Sequence, residues 1–91
     1  MLNKFQIAET DQFTSKIYDV KYRKIYKKIR DFVYPQLRTN PFFGANIKKL
    51  KGTFAGVYRY RIGNYRLFYI IENEKVLVII LDINDRKDAY N

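Results

Sequence analysis

The sequence predicts an α+β domain, with two N-terminal helices packed on one face of a twisted antiparallel sheet of three to four strands. Three observations carry that expectation. Apolar residues follow a helical period in the N-terminal half and form aromatic and β-branched runs in the C-terminal half. Gly63-Asn64 is a two-residue hairpin signal between two of those runs. The 91-residue chain is 47% hydrophobic and 18% aromatic, which supplies enough large side chains for a core and argues against disorder. Residues 1–91 read as one domain.

Phe5 to Glu9 is short enough, and apolar enough, for a first strand that extends the sheet at an unassigned position. Thr10-Asp11 is a helix cap, followed by a helical piece to about Ile17. Asp19 caps a longer helix whose apolar face is Tyr22, Ile25, Tyr26, Ile29, Phe32 and Val33. Lys21, Lys24, Lys28 and Asp31 fall on the other side, as on an ordinary solvated helix face. Pro35 is expected to end this helix or distort its last turn. Asn40 to Gly44 is a loop, and Ile47 to Gly52 a basic connector. Three strands follow over Val57–Ile62, Tyr65–Ile71 and Val76–Ile83, with Glu72 to Lys75 as the second turn. A last helical turn is expected from Arg86 to Tyr90.

Two missing residue types narrow the chemistry. Without cysteine there are no disulfides and no thiolate metal sites. Without histidine there is no His–Ser or His–Cys catalysis and no His-ligated zinc. Any acid or base must come from Asp, Glu, Tyr, Lys or a terminus. No carboxylate cluster suggests a metal pair, and no cofactor motif is present, so neither metal nor cofactor is expected. Met1 to Phe5 has no apolar run resembling a signal peptide, and no stretch has the ~20 apolar residues of a membrane span. The chain therefore reads as soluble and cytoplasmic, with no membrane partner.

The formal net charge is +9, which favours polyanionic partners. Residues 32–71 contain no acid, yet hold Arg38, Lys48, Lys49, Lys51, Arg59, Arg61 and Arg66. A hairpin turning on Gly63-Asn64 sets Arg61 opposite Arg66 and Arg59 opposite Phe68. Val57, Arg59, Arg61, Arg66, Phe68 and Ile70 then share one face, while Tyr58, Tyr60, Ile62, Tyr65, Leu67, Tyr69 and Ile71 face the helices. Like charges directly across a strand pair cost ~0.2–1 kcal/mol. Such a face suits an external anion, and guanidinium groups match phosphate in a planar fork. The competing reading pairs these arginines with Asp82, Asp85 or Asp88.

Lys49-Leu50-Lys51-Gly52 and the run from Gly56 to Tyr69 resemble the RelE/ParE superfamily of bacterial and archaeal toxins. Asp85-Arg86-Lys87-Asp88-Ala89-Tyr90 looks like its C-terminal signature, and Pro35-Gln36-Leu37 and Asn40-Pro41 look like its RelE branch. The resemblance implies helices on an antiparallel sheet and cleavage of messenger RNA in the ribosomal A site. It also implies contact with ribosomal RNA and silencing by a cognate antitoxin, the free toxin being a monomer. By resemblance, Arg59, Arg61 and Arg66 match basic residues of the hairpin, while Arg86 and Tyr90 match C-terminal functional residues. Many relatives carry histidine immediately before the arginine that Arg86 matches; here that residue is Asp85.

These residues suit metal-free cleavage by the neighbouring 2′-hydroxyl, a group that DNA lacks. Arg61 and Arg66 are candidates for stabilising the charged phosphorane, and Arg59 for positioning phosphate or lowering the 2′-hydroxyl pKa. Tyr90 is a candidate for base stacking or proton transfer. Asp85 is either a general base or an orienting partner of Arg86. Lys48, Lys49, Lys51 and Phe68 complete the expected RNA-binding set. Three other functions stay open: gyrase inhibition of the ParE type, a catalytically weak RNA- or antitoxin-binding relative, and a generic nucleic-acid-binding domain.

Overall fold

The computed structural model describes residues 4–85. Strand β1 (Gln6–Glu9) leads into a short helix, Asp11–Ile17. Thr10 is extended there, and its hydroxyl accepts the Phe13 N–H at 3.1 Å, satisfying one donor of the first turn. Asp19 performs the same task for the next helical segment by accepting the Lys21 N–H at 3.0 Å.

That segment is a composite rod rather than a second regular helix. A 3₁₀ turn (Val20–Tyr22) leads into α-helix (Arg23–Lys28), a π turn (Ile29–Val33) and α-helix again (Tyr34–Thr39). Of the two outcomes expected at Pro35, the rod shows the second: the helix does not end there but is distorted. The Tyr34 N–H bonds back to the Ile29 carbonyl, five residues earlier, so the turn before the proline is widened. Pro35 then lies at the start of the last α segment, where its ring is accommodated and its missing N–H matters less. The wide turn also changes the helical phase. Ile25, Ile29, Val33 and Leu37 are buried at four-residue steps, whereas Phe32, expected on the apolar face, is 70% exposed.

The sheet has five strands, not three to four, and it is mixed. Its order is β1-β5-β4-β3-β2, with β2 at Ile47–Lys49, β3 at Tyr58–Ile62, β4 at Tyr65–Glu72 and β5 at Leu77–Asp85. The expected basic connector contains β2, because three residues suffice to pair with the edge of β3. The first strand lies parallel to β5 and the other pairs are antiparallel. The expected final helical turn, Arg86 to Tyr90, lies outside the described residues.

Tyr60, Leu67, Tyr69, Val78, Ile80 and Ile83 face the helices and form one core with Phe13, Ile17, Ile29, Val33 and Leu37. The Tyr69 hydroxyl donates to the Pro41 carbonyl at 2.8 Å, so this large ring is buried without an orphaned polar end. Burial raises its pKa above the usual tyrosine value, as do the neighbouring Tyr58 and Tyr60. Glu9 fastens β1 to the long rod by accepting from Tyr26 at 2.9 Å and from Tyr34 at 2.7 Å.

The partner strand β1 stops opposite Ile80, which leaves the rest of that β5 edge to be covered otherwise. The Thr10 N–H donates to the Ile80 carbonyl at 3.1 Å, its hydroxyl to Leu81 at 3.0 Å, and Lys16 Nζ to Ile83 at 2.9 Å. The first helix thus caps the strand it crosses, answering the exposed-edge problem without another strand.

The candidate nucleic-acid interface

The β3–β4 register is the expected one: Ile62 opposite Tyr65, Arg61 opposite Arg66, and Arg59 opposite Phe68. Tyr58, Tyr60, Leu67 and Tyr69 of the alternate positions pack in or against the core, so the arginines lie on the face turned away from the helices. Across four strands this face carries the row Lys48, Arg59, Phe68, Asp82. The next row is Arg61, Arg66, Asn84.

Exposure differs along the rows. Lys48 and Arg61 are exposed, while Arg59, Arg66 and Phe68 are half-buried. The Arg59 Nε is shielded from solvent and has no hydrogen-bond partner among the described residues. Leaving a buried donor unmade costs about 1–3 kcal/mol. Arg66 does have an interaction within the protein.

The other predicted site residues are placed as follows. Lys49 aligns with Tyr58, so it alternates onto the opposite face from Lys48, and Lys51 is exposed just beyond β2. Asp85 aligns with Tyr65, whose ring meets Tyr22 of the helical layer at 5.8 Å. Strand alternation therefore sets Asp85 on the helix-side face, across the sheet from Arg61 and Arg66, and it too has an interaction within the protein. Arg86 and Tyr90 lie outside the described residues, as does Asp88.

Sequence reasoning did not single out Lys16. Its ammonium reaches Asp82 Oδ1 at 2.8 Å and Asn84 Oδ1 at 3.1 Å, in addition to the Ile83 carbonyl. Asp82, offered by the sequence as an arginine partner, is thus paired with a lysine from the first helix. A lysine at helix position 16 carries no local signal that it will cross to a strand more than sixty residues later.

A bulge shapes the rest of the face. The register slips between Phe68 and Tyr69, leaving Leu81 as the extra residue of β5. Ile80 and Ile83 are consequently both buried under the helices, while Leu81 and Asp82 both border a groove of about 320 Å³ on the arginine side. Among the described residues, no group of three or more His, Cys, Asp or Glu is arranged to hold a metal ion. No described helix is long and apolar enough to cross a membrane.

Helices on one face of a small sheet are shared with solved bacterial and archaeal toxins of toxin-antitoxin pairs. The family model for the ParE toxin of the type II toxin-antitoxin system parDE matches residues 7–90. Toxin RelG of Mycobacterium tuberculosis is 33% identical over 67 residues, covering 74% of this chain and 75% of that protein. Putative toxin RelE1 of Methanocaldococcus jannaschii is 38% identical over 66 residues, covering 70% and 71%. Among solved structures, the RelBE2 toxin-antitoxin complex of M. tuberculosis superposes with a TM-score of 0.80 at 24% identity, covering 94% of this chain and 95% of that one. The RelB-RelE antitoxin-toxin complex of Methanococcus jannaschii gives 0.64 at 26% identity, covering 91% and 94%. The chain belongs to the RelE/ParE superfamily of type II toxin-antitoxin toxins.

Proposed function

We propose that this toxin is a ribosome-dependent endoribonuclease that cleaves messenger RNA by metal-free attack of a 2′-hydroxyl. The observation that carries this reading is the juxtaposition of Arg61 and Arg66 on the open sheet face, with Arg59 and Lys48 in the adjacent row. Such clustering opposes folding slightly, and it has a use where negative charge accumulates on a phosphorane. Arg61 and Arg66 stabilise that charge and Arg59 holds the phosphate. Lys48 and Lys51 bind the RNA backbone, of messenger or ribosomal RNA, whereas Lys49, on the other face, is set apart from that path. Arg86 and Tyr90 complete the site, with Tyr90 stacking or moving a proton.

The 2′-oxygen attacks phosphorus, the 5′-oxygen of the next nucleotide leaves with a proton, and a 2′,3′-cyclic phosphate remains. The protein works in the cytoplasm, is a monomer when free, and is silenced by a cognate antitoxin. Solved relatives named as complexes with RelB-type antitoxins support that partner. Incubating the purified toxin with programmed ribosomes and mapping RNA ends by primer extension tests the reading. New ends within the A-site codon are expected; intact message under saturating toxin would sink it.

The family model's ParE designation favours a second reading, inhibition of DNA gyrase by protein binding. A gyrase supercoiling assay separates the two: inhibition of supercoiling together with intact message would select it.

A further inference from the structure

The groove beside the arginine rows is apolar on its walls and polar at one end, which phosphate binding does not explain. Leu50, Phe54, Phe68 and Leu81 line it, and Asp82 and Asn84 lie at its polar end. Phe54 is 63% exposed, so core packing does not account for it. It ends a 3₁₀ turn that begins at Gly52, at φ +67°, and is followed by Gly56 at φ +94°, conformations that suit glycine. The turn is closed by Ala55 N–H to Gly52 at 3.0 Å and Val57 N–H to Phe54 at 3.0 Å.

The polar end has a fixed orientation. Lysine only donates, so the Asn84 atom that meets Lys16 is the amide oxygen, and Asn84 Nδ2 is left as a donor. Asp82 Oδ1 accepts from Lys16 at 2.8 Å and from the Ile83 N–H at 2.8 Å, leaving Oδ2 as an acceptor. An acceptor and a donor therefore belong to two residues, two apart on the same face of β5, that line a groove also lined by two aromatic rings.

We infer that this groove is a nucleobase slot, in which one unstacked base of the RNA lies against Phe54 and Phe68 while Asp82 and Asn84 read its edge. The inference rests on the ribonuclease reading and specifies how that site holds its substrate. The volume, about 320 Å³, is at the small end of ligand clefts and suits a single ring system. Charge selects the occupant. The groove adjoins the row containing Arg59 and Lys48, so a chain that brings an apolar planar group on an anionic backbone is complementary to both. The Asp82 carboxylate also sets a preference. It accepts well from the exocyclic amine of cytosine, adenine or guanine. Uracil presents its single ring N–H between two carbonyl oxygens, which repel a carboxylate.

The test uses three hexameric strands at low salt: oligocytidylate, oligouridylate and a base-free ribose-phosphate strand of equal charge. Affinities are measured for the wild type, Phe54→Ala and Phe68→Leu, with circular dichroism to verify folding. The expected order for the wild type is cytidine, then uridine, then base-free strand. Phe54→Ala should weaken the cytidine strand about tenfold, the scale of one lost stacking contact, and leave the base-free strand unchanged. Phe68→Leu, which keeps the apolar bulk, should act in the same direction. Equal binding of all three strands by every variant overturns the slot while leaving RNA binding intact. Failure of the wild type to bind any strand overturns the slot, while cleavage on programmed ribosomes decides the ribonuclease reading separately. If the variants keep wild-type RNA affinities but lose the co-expressed antitoxin, the groove is a protein-docking site and the inference is wrong.

Discussion

Arg61 and Arg66 face one another across the β3–β4 hairpin, with Arg61 exposed and Arg66 half-buried. Two guanidinium groups in register can approach one phosphorane from adjacent strands without backbone movement. Arg61→Ala and Arg66→Ala should each slow cleavage by about 100-fold or more, the scale for one transition-state donor. Arg61→Ala should also leave the fold as stable as before or slightly more so, since one of two opposed charges is gone. Single-turnover rates on programmed ribosomes and urea melts measure these effects. Wild-type rates in both variants would remove the arginine pair from the mechanism.

The Lys48–Arg59 row predicts a specific salt response. Each phosphate contact to a single strand contributes a slope of about −0.7 to the log affinity against log salt. RNA affinity should therefore fall steeply between low and moderate salt, and Lys48→Ala should make the slope shallower by about 0.7. An unchanged slope in that variant would mean that Lys48 does not meet a phosphate.

The hairpin and its register were legible because one dipeptide, Gly63-Asn64, fixes both the turn and every cross-strand pair that follows. The short helix was legible through its threonine cap. Features that depend on distant residues were not. Lys48 and Lys49 read as a connector because a three-residue edge strand has no periodicity to detect. Pro35 read as either a helix end or a distortion, and the choice was not legible because the π turn that absorbs its effect leaves no sequence mark. The bulge at Leu81 is likewise invisible locally, and it decides that Leu81 and Asp82 border the same groove. Within the candidate site, the arginine alignment was accessible from strand alternation. The Lys16 contacts to Asp82 and Asn84 arise only from tertiary packing.

Lys16 bears on stability directly. Its half-buried ammonium is shared by a carboxylate, an amide oxygen and a strand-edge carbonyl. Hydrogen bonds to a charged group contribute about 1.5–3 kcal/mol, so Lys16→Ala should lower unfolding stability by an amount in that range. The Ile83 carbonyl would lose its charged donor, and hydrogen exchange should rise first in the C-terminal part of β5. A change below about 0.5 kcal/mol would show that solvent replaces the lysine without cost.

The tyrosines around Glu9 predict a loss of stability in alkali. Burial and then hydrogen bonding to Glu9 raise Tyr26 to about 12, and the same causes raise Tyr34 further. The folded state thus favours the neutral phenols relative to an unfolded value near ~10. Their stabilising contribution is complete below about pH 10 and is lost as pH rises from there through the folded values. The melting temperature should fall steeply above about pH 10 in the wild type, and less steeply in the Tyr26→Phe/Tyr34→Phe double variant. Parallel curves for the two proteins would show that these phenols do not govern the alkaline limit.

Asp85 is where the resemblance would place a histidine, so the proposed cleavage turns on whether this carboxylate can take a proton. Its register with Tyr65 puts it on the side of the sheet facing the helices, whereas Arg61 and Arg66 point the other way. A strand residue cannot switch faces without a one-residue slip of β5, which would also carry buried Ile83 out of the core. Asp85 is therefore poorly placed to take a proton from a 2′-hydroxyl held between the arginines. Its expected contribution is to hold the C-terminal end of β5, the β5 exit. Asp85→Asn keeps the shape and should retain at least about a tenth of the cleavage rate, less than the usual loss on removing a general base. Asp85→His introduces a group that titrates near neutrality, and a gain above the wild-type rate would reveal that a proton acceptor at this position can reach the substrate. Single-turnover cleavage from pH 5 to 9 separates the cases. If Asp85→Asn abolishes cleavage while RNA binding and folding persist, the carboxylate belongs to the chemistry and its assignment to the β5 exit is wrong.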